Sequence, residues 1–233
     1  METLLQVPLS LFQFDRTRQA APQVFEHMRE QIIALALPPG TVLSRIDLAA
    51  QYGISQTPVR DALIRLAEEG LVDIFPQHAT RVSRIDVALA RQAHFLRRSV
   101  ELEIVRTLAA APDVTLLERL RAIVDRATRM LEIHALDEFS DNDQAFHRAL
   151  YDAAAVPDLH ALVRRQSGHL DRLRRLHLPI AGKAREVLRD HAELVAAIAA
   201  GDAARAEAAL RDHLSGTLAH LDDIRARFAD YLK

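Results

Sequence analysis

The feature that most constrains the fold is a succession of helical patterns, without strand patterns, from residue 86 onward. Apolar residues recur there at spacings of three and four, which is typical of amphipathic helices. Prolines, glycines and acidic residues suited to helix starts divide this stretch into six segments, at about 86–110, 113–133, 137–153, 158–177, 183–200 and 202–230. Because the loops are short, we expect consecutive helices to be antiparallel neighbours in a compact bundle.

Three helical patterns and then a hairpin pattern occupy the first 85 residues. The predicted elements are an arm over 1–19, helices over 22–35, 45–52 and about 57–70, and strands over 71–75 and 81–85. Gly53 suits a left-handed helix end, and Thr57 and Pro58 suit the N-cap and first position of the next helix. The order predicts a mainly α protein with a winged helix-turn-helix at 20–85 and an all-helical bundle at 86–233.

Composition excludes some classes of protein and leaves DNA binding open. The 233-residue chain has no cysteine, so disulfides and thiolate metal sites are excluded. Pro8 interrupts the apolar opening residues, and no apolar run approaches the roughly 20 residues of a membrane span. We therefore expect a cytoplasmic protein without a membrane partner. The net charge of −2 gives no support for nucleic-acid binding, which must rest on residue positions.

A set of residues at fixed spacing runs through the predicted winged helix-turn-helix. It consists of Pro39-Gly40-x-x-Leu43, Leu48-Ala49, Gly53-Ile54-Ser55-x-Thr57-Pro58-Val59-Arg60-x-Ala62-Leu63 and Leu66-x-x-Glu69-Gly70-Leu71-Val72. The set resembles the N-terminal signature of the GntR family of bacterial transcription regulators. The resemblance implies a homodimer that binds a palindromic double-stranded DNA operator, with one recognition helix in each half-site.

The candidate DNA-contacting residues concentrate at the start of the third predicted helix. The helix N-terminus favours phosphate, Arg can bind guanine through two hydrogen bonds, and Gln can bind adenine. The predicted contacts are Arg45, Ser55, Gln56, Thr57, Arg60, His78, Thr80 and Arg81. The family usually has Arg at the position of Gln56, often Arg at that of Ile46, and Gly at that of Ala79. We therefore expect an operator that differs from the family's commonest one.

Four polar residues lie on or beside the apolar stripes of three predicted C-terminal helices. Asp143 and His147 are four residues apart on one helix, and His191 and His213 lie within the stripes of two others. Burial of an unpaired carboxylate is costly, and one Asp with three His suits a divalent ion such as Zn²⁺ or Ni²⁺. The pattern predicts a metal site, with hydrogen-bonded core histidines as the alternative.

The same residues belong to a second set with family spacing. It consists of Arg97-x-x-x-Glu101, Asp143-x-x-x-His147, Asp190-His191-x-x-Leu194-x-x-Ala197-Ile198, Gly201-Asp202-Ala203 and His213-Leu214. The set resembles the FCD ligand-binding domain of the FadR subgroup of GntR regulators, and six helices favour its shorter, VanR-like variety. The resemblance implies that Asp143 and the three His bind a divalent metal, which helps to hold a small carboxylate effector.

Arg97 lies on an apolar stripe of the first predicted bundle helix, where it needs an anionic partner. It can bind the carboxylate of an effector, pair with Glu101 one turn on, or extend its head group to water. His169 and Arg172 are further candidate effector contacts. The sequence thus predicts a ligand-responsive transcription regulator, expected to be a repressor and not an enzyme. The alternatives are a mononuclear metal-dependent hydrolase and a helical scaffold without a ligand.

Overall fold

The computed structural model describes residues 12–75, 79–180 and 182–233. They divide into two compact units. One contains the residues up to Val87 together with Phe228–Lys233, and the other is Ala88–Arg227. The mainly α class, with a winged helix-turn-helix followed by a helical bundle, is confirmed.

Three helices and a small antiparallel sheet form the N-terminal unit. They are α1 (Ala20–Ile33), β1 (Val42–Leu43), α2 (Arg45–Tyr52), α3 (Gln56–Glu68), β2 (Val72–Phe75) and β3 (Ala79–Val82). The strand order is β1-β3-β2, with Val42 opposite Arg81 and Val72 opposite Val82. Apolar side chains of α1 and α3, among them Met28 and Leu63, are buried in one core. That core holds α2 and α3 in the helix-turn-helix.

Several details of this unit differ from the sequence predictions. The N-cap of α3 is Ser55, in extended backbone, so Thr57 lies inside the first turn and its prediction as N-cap is wrong. The second hairpin strand ends at Val82 and begins at Ala79 rather than at residue 81. Strand β1 was missed, because two residues are too few to show an alternating pattern. Gly53 ends α2 in the left-handed conformation, as predicted.

The last six described residues belong to the N-terminal unit, although the helices before them do not. A 3₁₀ turn over Ala229–Tyr231 precedes Leu232, which pairs with Ile85 in a parallel bridge. The amide of Ile85 donates to the Tyr231 carbonyl at 2.7 Å, and the amide of Lys233 donates to the Ile85 carbonyl at 3.0 Å. The chain therefore passes twice between the two units.

The described residues of the second unit form eight helices, the first of which begins at Val87. They are α4 (Val87–Ala110), α5 (Val114–Glu132), α6 (Leu136–Ala153), α7 (Pro157–Gln166), α8 (Gly168–His177), α9 (Lys183–Ala199), α10 (Ala203–Ala219) and α11 (Leu221–Arg227). Phe146 of α6, Leu194 of α9 and Leu210 of α10 are fully buried in the main core, with Leu120 of α5 beside them. This packing brings the inner faces of α6, α9 and α10 together. Among the described residues, no helix combines the length and apolar character that a membrane crossing requires.

Two of the six predicted segments are interrupted, so continuous helices over 158–177 and 202–230 were wrong predictions. The first breaks at Ser167, whose hydroxyl donates to the Val163 carbonyl at 2.7 Å, and Gly168 follows without a side chain. The second breaks at His220, whose Nδ1 lies 2.8 Å from the Gly216 carbonyl oxygen. The VanR-like variety, which the count of six favoured, stays a prediction.

Candidate metal centre and DNA-contacting surface

The four predicted metal ligands lie together inside the second unit. Asp143 and His147 come from α6, His191 from α9 and His213 from α10, and all four are buried. One ligand atom from each lies within 4.8 Å of the others. The four-residue spacing on α6 aligns Asp143 with His147, and the apolar stripes of α9 and α10 carry the other two inward.

Three of the separations within this cluster are close to those between ligands of one metal ion. His213 Nε2 lies 3.1 Å from His147 Nε2 and 3.3 Å from His191 Nε2. Asp143 Oδ1 lies 3.5 Å from His191 Nε2 and has no hydrogen-bond partner within the described residues, although it is buried. Nitrogen ligands about 2.0–2.1 Å from a metal are themselves about 2.8–3.0 Å apart when adjacent in octahedral geometry and about 3.3–3.4 Å apart in tetrahedral geometry. The unsatisfied carboxylate oxygen and the converging imidazoles therefore suit a divalent ion.

The environment sets these groups in the protonation states that a metal needs. Burial lowers the pKa of His147 to about 4 and also holds the pKa of His191 well below its usual range. Burial disfavours ionised Asp143, but the Arg174 guanidinium and the nearby imidazoles outweigh it and hold the pKa of Asp143 well below its usual range. Near pH 7 the cluster offers two neutral imidazoles and a carboxylate, all of them metal-competent.

Three of the four ligands have a charged group on the side away from the cluster. Arg174 of α8 donates to Asp143 Oδ2 and leaves Oδ1 facing the imidazoles. Glu101 Oε2 lies 2.9 Å from His147 Nδ1. Asp190 Oδ2 lies 3.9 Å from His213 Nδ1, beyond normal hydrogen-bond length. The ring of His191 instead stacks on Phe146, with centroids 3.9 Å apart. The ligand side chains are thus held by neighbours as well as by their own helices.

Arg97 is buried and forms the ion pair that the sequence left as one alternative. Its Nε donates to Glu101 Oε1 at 2.8 Å, and the Tyr151 hydroxyl donates to the same oxygen at 3.3 Å. Burial opposes the charge on Glu101, but Arg97 and His147 outweigh it and lower its pKa. Within the described residues the terminal amino groups of Arg97 make no hydrogen bond, so they are available to an anion. An internal ion pair and an effector contact are therefore compatible.

His169 and Arg172, the other candidate effector contacts, are both buried on α8. An amino group of Arg172 lies 2.9 Å from His169 Nδ1. The structure thus brings these two side chains together within the helix that also supplies Arg174. Asp171, between them in sequence, is close enough to Arg97 to stabilise its charge.

The candidate DNA-contacting residues of α2 and α3 are exposed. Arg45 is the first residue of α2, and Ser55, Gln56 and Thr57 lie at the start of α3. Gln56 and Arg60 are four residues apart and share one face of α3 with Ile64, which is 38% exposed. Ile46, where the family often has Arg, is 66% exposed. The surface therefore combines a few polar groups with exposed isoleucines.

In the wing, Thr80 and Arg81 lie on β3 and are half-buried. An amino group of Arg81 lies 3.5 Å from the Gly40 carbonyl oxygen. His78, the remaining predicted wing contact, lies outside the described residues. The structure therefore describes two of the three predicted wing contacts.

Sequence reasoning missed the residues that support the metal ligands. Arg174 of α8 contacts Asp143 of α6, and Asp190 of α9 faces His213 of α10. Because each pair joins two helices, no sequence spacing identified these roles. Glu101 was recognised only as a partner for Arg97, because its distance of 46 residues from His147 in the chain hides their contact. The position of Ile64 beside Arg60 could have been found from helical periodicity.

Comparison with known families gives two matches that together span most of the chain. Residues 20–82 match the model described as bacterial regulatory proteins, gntR family, and residues 92–216 match the FCD domain. The chain is 37% identical to the "Uncharacterized HTH-type transcriptional regulator in unstable DNA locus" of Streptomyces ambofaciens, over 87% of this chain and 85% of that protein. It is 26% identical to the HTH-type transcriptional repressor RspR of Escherichia coli, over 94% and 96%.

Solved structures give the same fold. Escherichia coli McbR/YncC aligns with a TM-score of 0.75 and 22% identity, over 88% of this chain and 98% of that one. A GntR regulator from Rhodococcus sp. RHA1 aligns with a TM-score of 0.70 and 24% identity, over 86% and 96%. The matched families and relatives are transcription regulators rather than enzymes, so the metal-dependent hydrolase considered from the sequence is not supported.

Proposed function

The chain belongs to the GntR family of bacterial transcription regulators and carries an FCD domain, and we propose that it is a repressor whose operator affinity responds to a small carboxylate held at a divalent metal. The metal ligands in this proposal are Asp143, His147, His191 and His213. The observation that carries it is the buried cluster itself, in which three imidazole Nε2 atoms converge on a carboxylate oxygen without a hydrogen bond. Arg174 pairs with the other oxygen of Asp143, and a divalent cation would satisfy Oδ1 together with the imidazole nitrogens that face it.

The donor set limits which metal the site would hold. Three imidazoles and one carboxylate suit Zn²⁺ or Ni²⁺, whereas Ca²⁺ and Mg²⁺ prefer oxygen ligands alone. When bound, the ion would supply positive charge and an open coordination position to an anionic ligand. Arg174 would keep Asp143 ionised and turned toward the imidazoles, since it binds the other carboxylate oxygen.

Arg97 supports a carboxylate as the effector. Its guanidinium is buried, stays charged, and has two terminal amino groups available beside the Glu101 ion pair. A planar pair of donors matches the two oxygens of a carboxylate. His169 and Arg172 would add contacts from α8. We propose that the metal and Arg97 together select a small organic acid.

The DNA-binding part of the proposal rests on α2, α3 and the wing. Gln56 and Arg60 would contact bases, and Arg45, Ser55, Thr57, Thr80 and Arg81 would contact bases or phosphates in each half of a palindromic operator. A homodimer in the cytoplasm would present two such surfaces. The assignment as a repressor is supported by RspR, which carries that word in its name. An effector would weaken operator binding because it would bind more tightly to a conformation of the homodimer that has low affinity for DNA.

Metal binding is tested with protein stripped of metal by a chelator. Titration with Zn²⁺ or Ni²⁺ is expected to show one tight site per chain by calorimetry, and purified protein should contain about one equivalent of metal by elemental analysis. The absence of both would overturn the metal proposal.

Gel shifts with operator selected from random double-stranded DNA test the proposed DNA binding, since the protein should bind one palindromic sequence preferentially.

A further inference from the structure

Glu101 is a buried acidic residue of α4 that lies between Arg97 and the candidate metal ligand His147. It is 1% exposed, and its two oxygens face different groups. Oε1 accepts from Arg97 Nε at 2.8 Å, and Oε2 lies 2.9 Å from His147 Nδ1. One buried carboxylate therefore connects the candidate effector-binding arginine to a candidate metal ligand.

The short approach to His147 favours one position for the proton of that imidazole. An ionised carboxylate only accepts hydrogen bonds, so a neutral ring whose Nδ1 lies 2.9 Å from it is more stable with its proton on Nδ1, and a small rotation of the ring would complete a hydrogen bond that the present angle does not form. The Nε2 atom of His147 is then bare and faces Asp143, His191 and His213. This is the tautomer that a metal ligand needs on that side, and a carboxylate behind a ligating imidazole also increases its basicity.

Glu101 differs in this respect from the other outer groups. Asp190 is 3.9 Å from His213 Nδ1 and its side chain is 16% exposed, so its hold on that ring is weaker. Arg174 orients Asp143 but cannot affect an imidazole tautomer. Within the described residues, Glu101 is the one carboxylate that is both fully buried and within hydrogen-bond distance of a ligand imidazole.

We propose that Glu101 is a positioning residue that fixes the His147 tautomer for metal binding, and that it connects the metal site to Arg97 through a hydrogen bond at one oxygen and a 2.9 Å contact with His147 at the other. The proposal rests on the metal site proposed above and extends it to a coupling between metal and anion. An anion on the terminal amino groups of Arg97 would draw positive charge away from Glu101. The carboxylate would then accept more strongly from His147, and the imidazole would bind the metal more tightly.

The change Glu101→Gln tests this inference because an amide cannot satisfy both neighbours. Its one oxygen can accept from Arg97 Nε or from His147 Nδ1, but not from both through separate oxygens. If the oxygen stays with Arg97, the amide NH₂ faces His147 and forces the ring proton onto Nε2, which blocks the metal. We expect Zn²⁺ affinity to fall about 10- to 100-fold, the range for outer groups of metal sites.

A second substitution separates positioning from damage to the fold. In Arg97→Met/Glu101→Gln the amide oxygen no longer has a guanidinium to bind and can accept from His147, so Zn²⁺ affinity should recover toward that of Arg97→Met. General destabilisation would instead worsen with the second change. Glu103→Gln is the matched control, since Glu103 lies on the same helix, is exposed and pairs with Arg106.

The tautomer is measured directly in metal-free protein by ¹⁵N chemical shifts of the His147 ring. The inference predicts a protonated Nδ1 in the wild type and in Glu103→Gln, and a protonated Nε2 in Glu101→Gln. Wild-type protein with its proton on Nε2, or Glu101→Gln with unchanged Zn²⁺ affinity, would overturn the role of Glu101 while leaving the metal site standing. Wild-type protein that binds no Zn²⁺ but shows the Nδ1 tautomer would overturn the proposed function instead.

Discussion

The candidate DNA-contacting surface and the candidate metal cluster differ in how their polar groups are satisfied. Gln56, Arg60 and their neighbours on α3 are exposed and turned to solvent. Asp143 and the three histidines are buried and contact one another, and most have an outer partner as well. The side chains of Gln56 and Arg60 are therefore not fixed by contacts within the described residues, whereas those of the cluster are fixed by their buried neighbours. Substitutions should affect operator choice at the first region and metal affinity or stability at the second.

The largest effect is expected from loss of a metal ligand. His213 Nε2 is the atom nearest to both other imidazoles, so His213→Ala should reduce Zn²⁺ affinity by more than the roughly hundredfold upper limit for outer groups. Competition with a chromophoric chelator measures the change. His134→Asn, which replaces an exposed imidazole between α5 and α6, should leave the affinity unchanged. Equal affinities in the two variants would show that the cluster is a structural histidine core.

A smaller effect, on DNA rather than metal, is expected from Arg60. A side chain that contacts a base or phosphate contributes about 1–3 kcal/mol, so Arg60→Ala should weaken operator binding about 5- to 150-fold. Arg91→Ala removes an exposed arginine from α4 and serves as the control for charge. Gel shifts at fixed salt concentration measure both. If Arg60→Ala binds operator as tightly as Arg91→Ala, the recognition surface has been assigned to the wrong residues.

These two regions also differ in how far the sequence could predict them. Helical periodicity placed Asp143, His147, His191 and His213 on inward-facing stripes. The turn at Gly53 predicted where the next helix begins, and this put Gln56 and Arg60 near its start. The contacts of Glu101 and Arg174 could not be predicted, because they join helices that are distant in the sequence. The breaks at Ser167 and His220 depend on side chains that bond to backbone carbonyls, which leave apolar periodicity intact.

The buried residue His177, which is not part of the metal cluster, predicts that stability against unfolding depends on pH. Burial, with the charges of Lys183 and His220, lowers the pKa of His177 to about 4. Since the folded pKa is below the unfolded value near 6.5, this residue's contribution to stability is complete above pH ~6.5 and is lost as pH falls toward ~4, a change of about 1–3 kcal/mol. Urea unfolding of His177→Asn should therefore show a flatter decline in stability across that interval.

The control for this measurement is His134→Asn. His134 is exposed and has a φ of 57°, a backbone conformation that asparagine adopts readily. Its substitution should leave the pH dependence of unfolding as in the wild type. A wild-type-like decline in His177→Asn as well would mean that other groups account for the acid sensitivity.

The smallest expected effect concerns the departure of α3 from the family pattern. Gln56→Arg adds a positive charge at the start of the helix, so the slope of log affinity against log salt concentration should steepen by about one unit. Binding to the native operator should change little at high salt, where phosphate contacts contribute least. Fluorescence anisotropy at several salt concentrations measures the slope. An unaltered slope would show that residue 56 does not approach the DNA.

The central claim is that the buried cluster and Arg97 make operator binding responsive to a small carboxylate. The most direct measurement is operator affinity of metal-loaded and metal-stripped protein in the presence of acetate, lactate, succinate and citrate, with Arg97→Ala in parallel. The account predicts that at least one acid weakens operator binding by the metal-loaded wild type, and that the response is lost on stripping or in Arg97→Ala. A response of equal size in stripped protein and in Arg97→Ala would contradict it.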